Sequence, residues 1–358
     1  MDYEQIQSKT INLLRFPLIV GVVFIHNYSP IVIINDVEFG NADYLFIYHT
    51  ISKLFSQVVA GICVPLFFFI SGFLFFRGVN FDKNIYFSKL KSRTKSLLIP
   101  YLFWNITCLV VFHVVAKIPT LSVWFNNLSN MYNLNYILTS LWTHPIVYQF
   151  WFIRDLMVVV LLTPLIYLYI KNLNIFGIVF FGLLWFFGFW SSAISAIGLS
   201  IVSLFFFSAG AWFGIKKKNI IKVFEKVSDQ PYIYIIYIFI VVTDLCTKNS
   251  IINKLGILVG IICCFGIAGK LVKNNKVKIS SFLTSASFFI FAIHEPWLVN
   301  TMRKILFKIL QPEGDFMLTL LYFVIVALTV LIALVIYYIM DRYTPRFLSV
   351  ISGGRKIN

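Results

Sequence analysis

The chain has 358 residues, of which 59% are hydrophobic and only 12% are charged. Soluble domains carry about 25% charged residues, so this composition excludes a soluble globular protein and predicts one embedded in a lipid bilayer. The formal net charge of +16 would suit a nucleic-acid-binding protein. However, the Lys and Arg residues lie in short clusters between apolar stretches, which is typical of membrane proteins and argues against nucleic acid as a partner.

Ten apolar stretches are long enough to cross a membrane as helices, because a bilayer-spanning helix needs about 20 mostly apolar residues. In chain order they are residues 11–34, 57–76, 96–116, 150–170, 174–190, 194–215, 231–247, 252–271, 281–301 and 317–340. Only residues 190–193 separate the fifth from the sixth, which predicts a tight helical hairpin. The pattern predicts an all-α fold, a bundle of ten transmembrane helices in one membrane domain over residues 1–358.

The connections between these stretches alternate in charge along the chain. One set holds most of the basic residues, in segments 77–95, 216–226, 270–278 and 342–356, and the other set holds few. Basic loops stay in the cytoplasm, and an even number of spans returns the chain to the side on which it began. We therefore expect both termini in the cytoplasm and a multi-pass membrane protein.

The connections on the expected outer side have a different composition. The first is acidic, and the longest, residues 117–149, is rich in aromatic side chains: Asp36, Glu38 and Asp43 in the former, and Trp124, Tyr132, Tyr136, Trp142 and Tyr148 in the latter. Aromatic rings can stack on sugars, but they also anchor helices at the membrane interface. The sequence leaves both roles open.

Arg15 and His26 are eleven residues apart in the first stretch. At about 100° per residue the second side chain returns to within about 20° of the first, with a rise of about 16 Å between them. Ionisable groups at membrane depth are costly, so each is a candidate functional residue. Taken singly, Arg15 can extend to lipid head groups and His26 can be an interior histidine. Because the two residues share one face of one helix, together they indicate a functional site.

Three further ionisable residues in later stretches are candidates for the same site. Asp155 and Glu295 are each able to orient the imidazole of His26, and His294 is either a second catalytic histidine or part of a polar seam. Each carboxylate also has a simpler interpretation. Asp155 follows Arg154 and would form a local ion pair, and Glu295 precedes Pro296 at a position where proline would kink a helix.

Five short motifs, in order along nearly the whole chain, resemble those of the acyltransferase-3 family of bacterial integral membrane acyltransferases. They are RFPLIVGVVFIH at 15–26, PLFFFISGFL at 65–74, LIPY after the basic run at 98–101, WFIRDL at 151–156 and IFAIHEP at 290–296. Leu97 stands where the family commonly has a second arginine, and Phe291 where it has tyrosine. The resemblance is to the stand-alone form, without a soluble SGNH domain.

This resemblance implies a protein of the bacterial cytoplasmic (inner) membrane. It also implies transfer of an acyl group, with acetyl favoured, from cytoplasmic acyl-CoA to a hydroxyl of an envelope saccharide or glycolipid. His26 would be the base or the nucleophile. A basic patch on the cytoplasmic side would hold the phosphates of the donor, although simple membrane topology also explains it: Arg15, Arg77, Lys91, Arg93 and Lys95. No spacing of His, Cys or carboxylate residues predicts a metal site.

Two other functions are compatible with a chain of this kind. A transporter or flippase for an envelope glycan or a lipid-linked precursor would also have many spans and charges at membrane depth. The third hypothesis is a sensor or assembly subunit of an envelope complex, with lost catalysis. The spacing of Arg15 and His26 favours the enzyme.

Overall fold

The computed structural model of the protein is helical almost throughout, and it describes residues 1–34, 37–39, 45–118, 134–247 and 249–354. Several residues named above fall outside this description, as whole residues or as side chains: Asp36, Glu38, Asp43, Trp124, Tyr132 and Tyr136.

The helices alternate between long apolar segments and short connecting ones. In chain order they are α1 Tyr3–Asn27, α2 Phe46–Lys53, α3 Cys63–Phe76, α4 Lys83–Arg93, α5 Ile99–Ala116, α6 Leu134–Leu141, α7 Trp151–Leu161, α8 Thr163–Phe187, α9 Ser192–Ala196, α10 Ile201–Ile215, α11 Ile220–Ser228, α12 Tyr232–Thr247, α13 Ser250–Lys273, α14 Ser281–Ile293, α15 Val299–Leu310, α16 Gly314–Tyr343 and α17 Pro345–Ile351. A small antiparallel hairpin, β1 Val32–Ile34 and β2 Val37–Phe39, follows α1.

Three joints between helices wind as π-helical turns, at Leu54–Val59, Thr94–Leu98 and His294–Leu298. Each connects two helices into a longer segment, so α2 with α3, α4 with α5 and α14 with α15 form single spans. Turns of this kind are frequent at functional sites, because the extra residue per turn displaces the backbone. Two of these joints contribute residues to the site described below.

Seven helical segments of the described chain are long and apolar enough to span a membrane, or eight if the bent pair α11–α12 forms one span. The polytopic all-α prediction is therefore confirmed, but the structure does not reproduce ten separate spans. Residues 150–170 and 174–190 show the difference. The helix breaks at Leu162, inside the first of these stretches, and α8 has a second, non-helical kink at Asn174, next to the predicted boundary.

The predicted hairpin of residues 174–215 is present in altered form. α8 and α10 pack against each other, but their connection runs from Gly188, in the left-handed region with φ 74°, through the short helix α9. Glycine adopts this conformation without steric cost, which explains why α8 ends there. The connection is thus longer than the four residues that hydropathy suggested.

α1 lies at the centre of the bundle. It packs against α3, α11, α13, α14 and α16 and against the first π-helical turn. Its start is capped by the carboxylate of Asp2, which accepts a hydrogen bond from the Gln5 amide at 2.7 Å. We call the side on which α1 begins the inner side, and the side on which it ends the outer side.

The closest helix packing in the bundle joins α3 to α10. A β-carbon at Gly72 would overlap the carbonyl of Phe207, and one at Gly210 would overlap the carbonyl of Phe69. Small residues permit such approach of two membrane helices. Gly72 of the SGF motif is therefore a packing residue, and its neighbour Ser71 faces the pocket described next.

Candidate active site

A pocket of about 150 Å³ lies beside α1 between α3, α7 and α14. On α1 its lining follows one helical stripe, Arg15, Ile19 and Val22, and His26 is the next residue on that stripe. The helical period places these side chains on one face, as the sequence predicted. The other walls come from the remaining motifs: Ser71 on α3, Phe152 and Leu156 on α7, and Thr284, Ser287 and Phe291 on α14.

Two guanidinium groups line the inner part of this pocket. Arg15 comes from α1 and Arg93 from the end of α4, and both are half-buried. Across the described chain, neither side chain has a hydrogen bond or an acidic partner. Two neighbouring, half-buried positive charges repel each other, and an anion bound between them would offset that repulsion. The pocket is therefore a candidate anion site.

The other basic residues predicted to bind the donor lie elsewhere. Arg77 donates a hydrogen bond to the Glu4 carboxylate at 2.8 Å and forms an ion pair with it. Lys91 and Lys95 are exposed and do not line the pocket. Leu97, at the position where a second family arginine is common, is buried and does line it. Of the five predicted residues, the structure brings together only Arg15 and Arg93.

The pocket leads toward a pair of histidines. Val22 lies about one helical turn before His26, and Phe291 lies three residues before His294, with its ring centroid 6.0 Å from that imidazole. The ring centroids of His26 and His294 are 5.0 Å apart. Residues 268 positions apart in the chain thus form one cluster, which we call the histidine pair.

His294 has a defined hydrogen-bonding role. Its Nδ1 lies 2.8 Å from the Phe291 carbonyl and 3.1 Å from the Ile290 carbonyl, and only a protonated Nδ1 can donate to them. In the neutral ring, Nε2 then carries the lone pair. That nitrogen is buried and has no hydrogen-bond partner in the described structure. His294 therefore presents a free basic nitrogen in the interior.

His26 is held by a residue that the motif analysis had not assigned to the site. Its Nδ1 forms a hydrogen bond with the hydroxyl of Tyr148, and the two rings meet edge to face at 4.9 Å. Burial of the hydroxyl end raises the pKa of Tyr148, although part of the ring is exposed, and nearby Glu295 raises it further. The phenol thus remains protonated at neutral pH. Tyr148 belongs to the aromatic loop in which only sugar stacking or interface anchoring was considered.

Glu295 is buried next to the histidine pair, at the break between α14 and α15. Its backbone leaves the helical region, with φ −130° and ψ 144°. Its Oε2 accepts a hydrogen bond from Asn300 at 2.8 Å, and its carbonyl accepts one from Gln149. The helix break expected at Pro296 is present, and the carboxylate is held by Asn300.

Asp155 lies in a different cluster. Arg154 donates from Nε and Nη2 to its Oδ1 at 3.1 and 2.8 Å, and the Ser200 amide donates to its Oδ2 at 3.2 Å. Arg154 also donates to four backbone carbonyls, those of Trp142, Thr143, Ser195 and Ala196. This is the local ion pair that was the simpler interpretation. Its contacts fix two outer loops and do not orient His26.

The outer end of the site contains residues that no motif indicated. Arg303 donates to the backbone and side-chain oxygens of Asn27, at 2.9 and 3.1 Å, and Asn27 donates to the Tyr322 carbonyl. Arg303 followed an apolar stretch and was counted only as an outer loop residue. A polar residue directly after His26, Asn27, was the available signal. Within the described residues, no group of three or more His, Cys, Asp or Glu side chains is placed to hold a metal ion.

Comparison with known proteins places this architecture in a family. Residues 8–338 match the family model described as an acyltransferase domain, of the acyltransferase-3 type, so the chain belongs to that family. It is a multi-pass integral protein of the cytoplasmic membrane and an acyltransferase for groups other than aminoacyl groups.

A particular relative is similar over nearly its whole length. The chain is 25% identical over 371 aligned positions to the succinoglycan biosynthesis protein ExoH of Rhizobium meliloti, covering 97% of this chain and 92% of the relative. No solved structure matches the chain. Family membership favours the enzyme over the transporter and the assembly-subunit hypotheses.

Proposed function

We propose that the protein transfers an acyl group, acetyl in the simplest case, from acyl-CoA on the cytoplasmic side to a hydroxyl of an envelope saccharide or glycolipid on the outer side. The acceptor class is supported by the name of the relative, a succinoglycan biosynthesis protein. The proposal includes one membrane domain over residues 1–358 with both termini in the cytoplasm.

Arg15 and Arg93 are proposed to hold the phosphates of the donor. Guanidinium groups bind phosphate oxygens with paired, charge-assisted hydrogen bonds. The apolar lining beyond them, formed by Val22, Leu156 and Phe291 among others, suits a long and largely uncharged pantetheine arm. The distance from Arg15 to His26 along the helix is about 16 Å, so the arm would carry the thioester from the anion site to the histidine pair.

The histidine pair is proposed to supply the base. As the acceptor oxygen forms a bond to the thioester carbonyl carbon, its proton passes to a histidine Nε2. The carbon–sulfur bond then breaks, and the proton moves from the imidazolium to the departing CoA thiolate. A bond from His26 Nδ1 to the Tyr148 oxygen would leave the His26 Nε2 lone pair free for this step. An acyl-histidine formed on the same nitrogen is the alternative route.

The remaining predicted site residues receive separate roles. His294 has the second free Nε2 and is proposed to relay the proton or to bind the acceptor hydroxyl. Glu295 is proposed to balance the charge of the imidazolium that forms during transfer. Asp155 is proposed to be structural, because its carboxylate is already bonded by Arg154 and Ser200.

One observation carries the proposal: a single pocket has two unpaired arginines at its inner part and the histidine pair beyond its other end. The test is transfer of radiolabel from acetyl-CoA to extracted envelope glycan by the purified protein in nanodiscs. We expect His26→Ala to lower the transfer rate by about 10²- to 10⁴-fold, the usual contribution of a general base. His144→Ala is the matched control, because the His144 side chain is exposed and its one hydrogen bond among the described residues is to the Thr143 hydroxyl.

The outcomes separate the alternatives. Label that stays on the protein would favour the acyl-histidine route, and label in the glycan alone would favour direct transfer. Equal activity of His26→Ala and the wild type would refute the assignment of His26. A wild-type protein that neither binds CoA nor transfers label would contradict the proposal and would favour the transporter hypothesis.

A further inference from the structure

A second and larger cavity opens on the outer side, separate from the pocket of Arg15. Its volume is about 660 Å³, within the range of about 300–1,000 Å³ typical of sites that enclose a small-molecule ligand. Its walls come from the residues after α1, from α2 and the π-helical turn that follows it, and from the junction of α12 with α13. We call this cavity the outer groove.

The walls of the outer groove are tied together by polar hydrogen bonds. Lys53 of α2 donates to the Asp244 carbonyl at 3.0 Å, and Asn253 of α13 donates to the Asp244 carboxylate at 2.8 Å. On the opposite side of α2, Asp315 of α16 accepts hydrogen bonds from the amides of Ile47 and Tyr48, at 2.7 and 2.6 Å. These links join four helices, so the groove is formed before any ligand arrives.

The chemistry of the lining indicates an uncharged, hydroxyl-rich ligand. Among the described residues that line it, the lysine and the aspartate are both engaged in the bonds just described, and their opposite charges offset each other. The amide of Gln57 is exposed and bonds no other residue in the described parts of the chain. Amides and hydroxyls both donate and accept hydrogen bonds, as sugar hydroxyls require. Tyr28 and Phe46 add aromatic faces against which a sugar ring can pack.

One wall of the groove is close in sequence to the histidine pair. Tyr28 lines it and is only two residues beyond His26 in the chain. A chain held there would enter the site from the side opposite to the proposed donor pocket. We propose that the outer groove is the acceptor subsite, which binds a neutral segment of the saccharide through Gln57 and Tyr28 and presents one hydroxyl to the histidine pair. This inference rests on the proposed function and assigns a place to its acceptor.

The test uses the whole protein in nanodiscs and unacylated oligosaccharide prepared from a strain that lacks this enzyme. Gln57→Ala and Tyr28→Ala should each raise the KM for the oligosaccharide about three- to tenfold, the effect of one lost hydrogen bond or ring contact. We expect kcat, the KM for acetyl-CoA and the slow hydrolysis of acetyl-CoA without acceptor to stay unchanged. Gln230→Ala, at an exposed glutamine of the bend between α11 and α12, is the matched control and should change nothing.

Direct binding of the oligosaccharide, measured by calorimetry, keeps this inference separate from the proposed function. Binding that Gln57→Ala and Tyr28→Ala weaken would support the groove even if the wild type transferred no acyl group. Transfer with an unaltered KM in both variants would overturn the groove assignment and leave the proposed function intact. Absence of oligosaccharide binding by the wild type would overturn the groove assignment as well.

Discussion

The Arg154–Asp155 pair and the Arg15–Arg93 pair both place arginine within the membrane-embedded part of the chain, but they differ in how the charge is satisfied. Arg154 bonds one carboxylate and four carbonyls, all within the protein. Arg15 and Arg93 share a pocket and have no partner among the described residues. A buried charge that is already paired organises the fold, whereas one left unpaired indicates a missing ligand.

The largest effect, on stability, should follow from removing the carboxylate of the Arg154–Asp155 pair. Asp155→Ala leaves the Arg154 charge buried and unpaired, which costs about 3–5 kcal/mol in the free energy of unfolding. Thermal unfolding in detergent should show a much lower midpoint. Asp229→Ala is the control, since its ion pair with Lys270 is half-exposed and such pairs contribute about 0–1 kcal/mol. A stable Asp155→Ala protein without transfer activity would instead make Asp155 a catalytic residue.

A smaller effect, on donor binding and not on stability, should follow from a substitution in the Arg15–Arg93 pair. Arg15→Ala removes a charge that has no partner in the protein, so the unfolding midpoint should not fall. Binding of acetyl-CoA should weaken about tenfold to a hundredfold, the value of charge-assisted hydrogen bonds to a phosphate. Calorimetry on the protein in nanodiscs measures this binding.

The control for this change is Arg346→Ala, at an exposed arginine of the last helix, α17. It removes the same charge from outside the pocket and should leave CoA binding unaltered. Equal weakening by both variants would mean that the net charge of the inner side, and not the pocket, attracts the donor.

The smallest of these effects, a change in kcat, should follow from a substitution of Tyr148, which bonds one member of the histidine pair. Tyr148→Phe removes the hydroxyl that bonds His26 Nδ1, at a cost of about 1 kcal/mol, and should lower kcat about fivefold without changing the KM for acetyl-CoA. Steady-state kinetics check this, with Tyr343→Phe at an exposed tyrosine as the control. An unchanged kcat would show that Tyr148 does not position His26.

Sequence reasoning worked best where chemistry depends on one helix. The spacing of Arg15 and His26 sets their common face through the helical period alone, because α1 is one continuous helix from Tyr3 to Asn27. It worked less well for helix boundaries. Apolar composition does not reveal the break at Leu162, which lies within a continuous apolar stretch, whereas the polar residues at 171–174 coincide with the kink at Asn174.

What the sequence by itself determined was therefore the class of the protein, its helical architecture, and the helix that carries the two first candidates for the site. The tertiary structure alone decided the partners. It brought His294 beside His26 and Arg93 beside Arg15, and it assigned Asp155 to Arg154. The physical reason is that the helical period fixes directions within one helix, whereas contacts between helices depend on how the whole bundle packs.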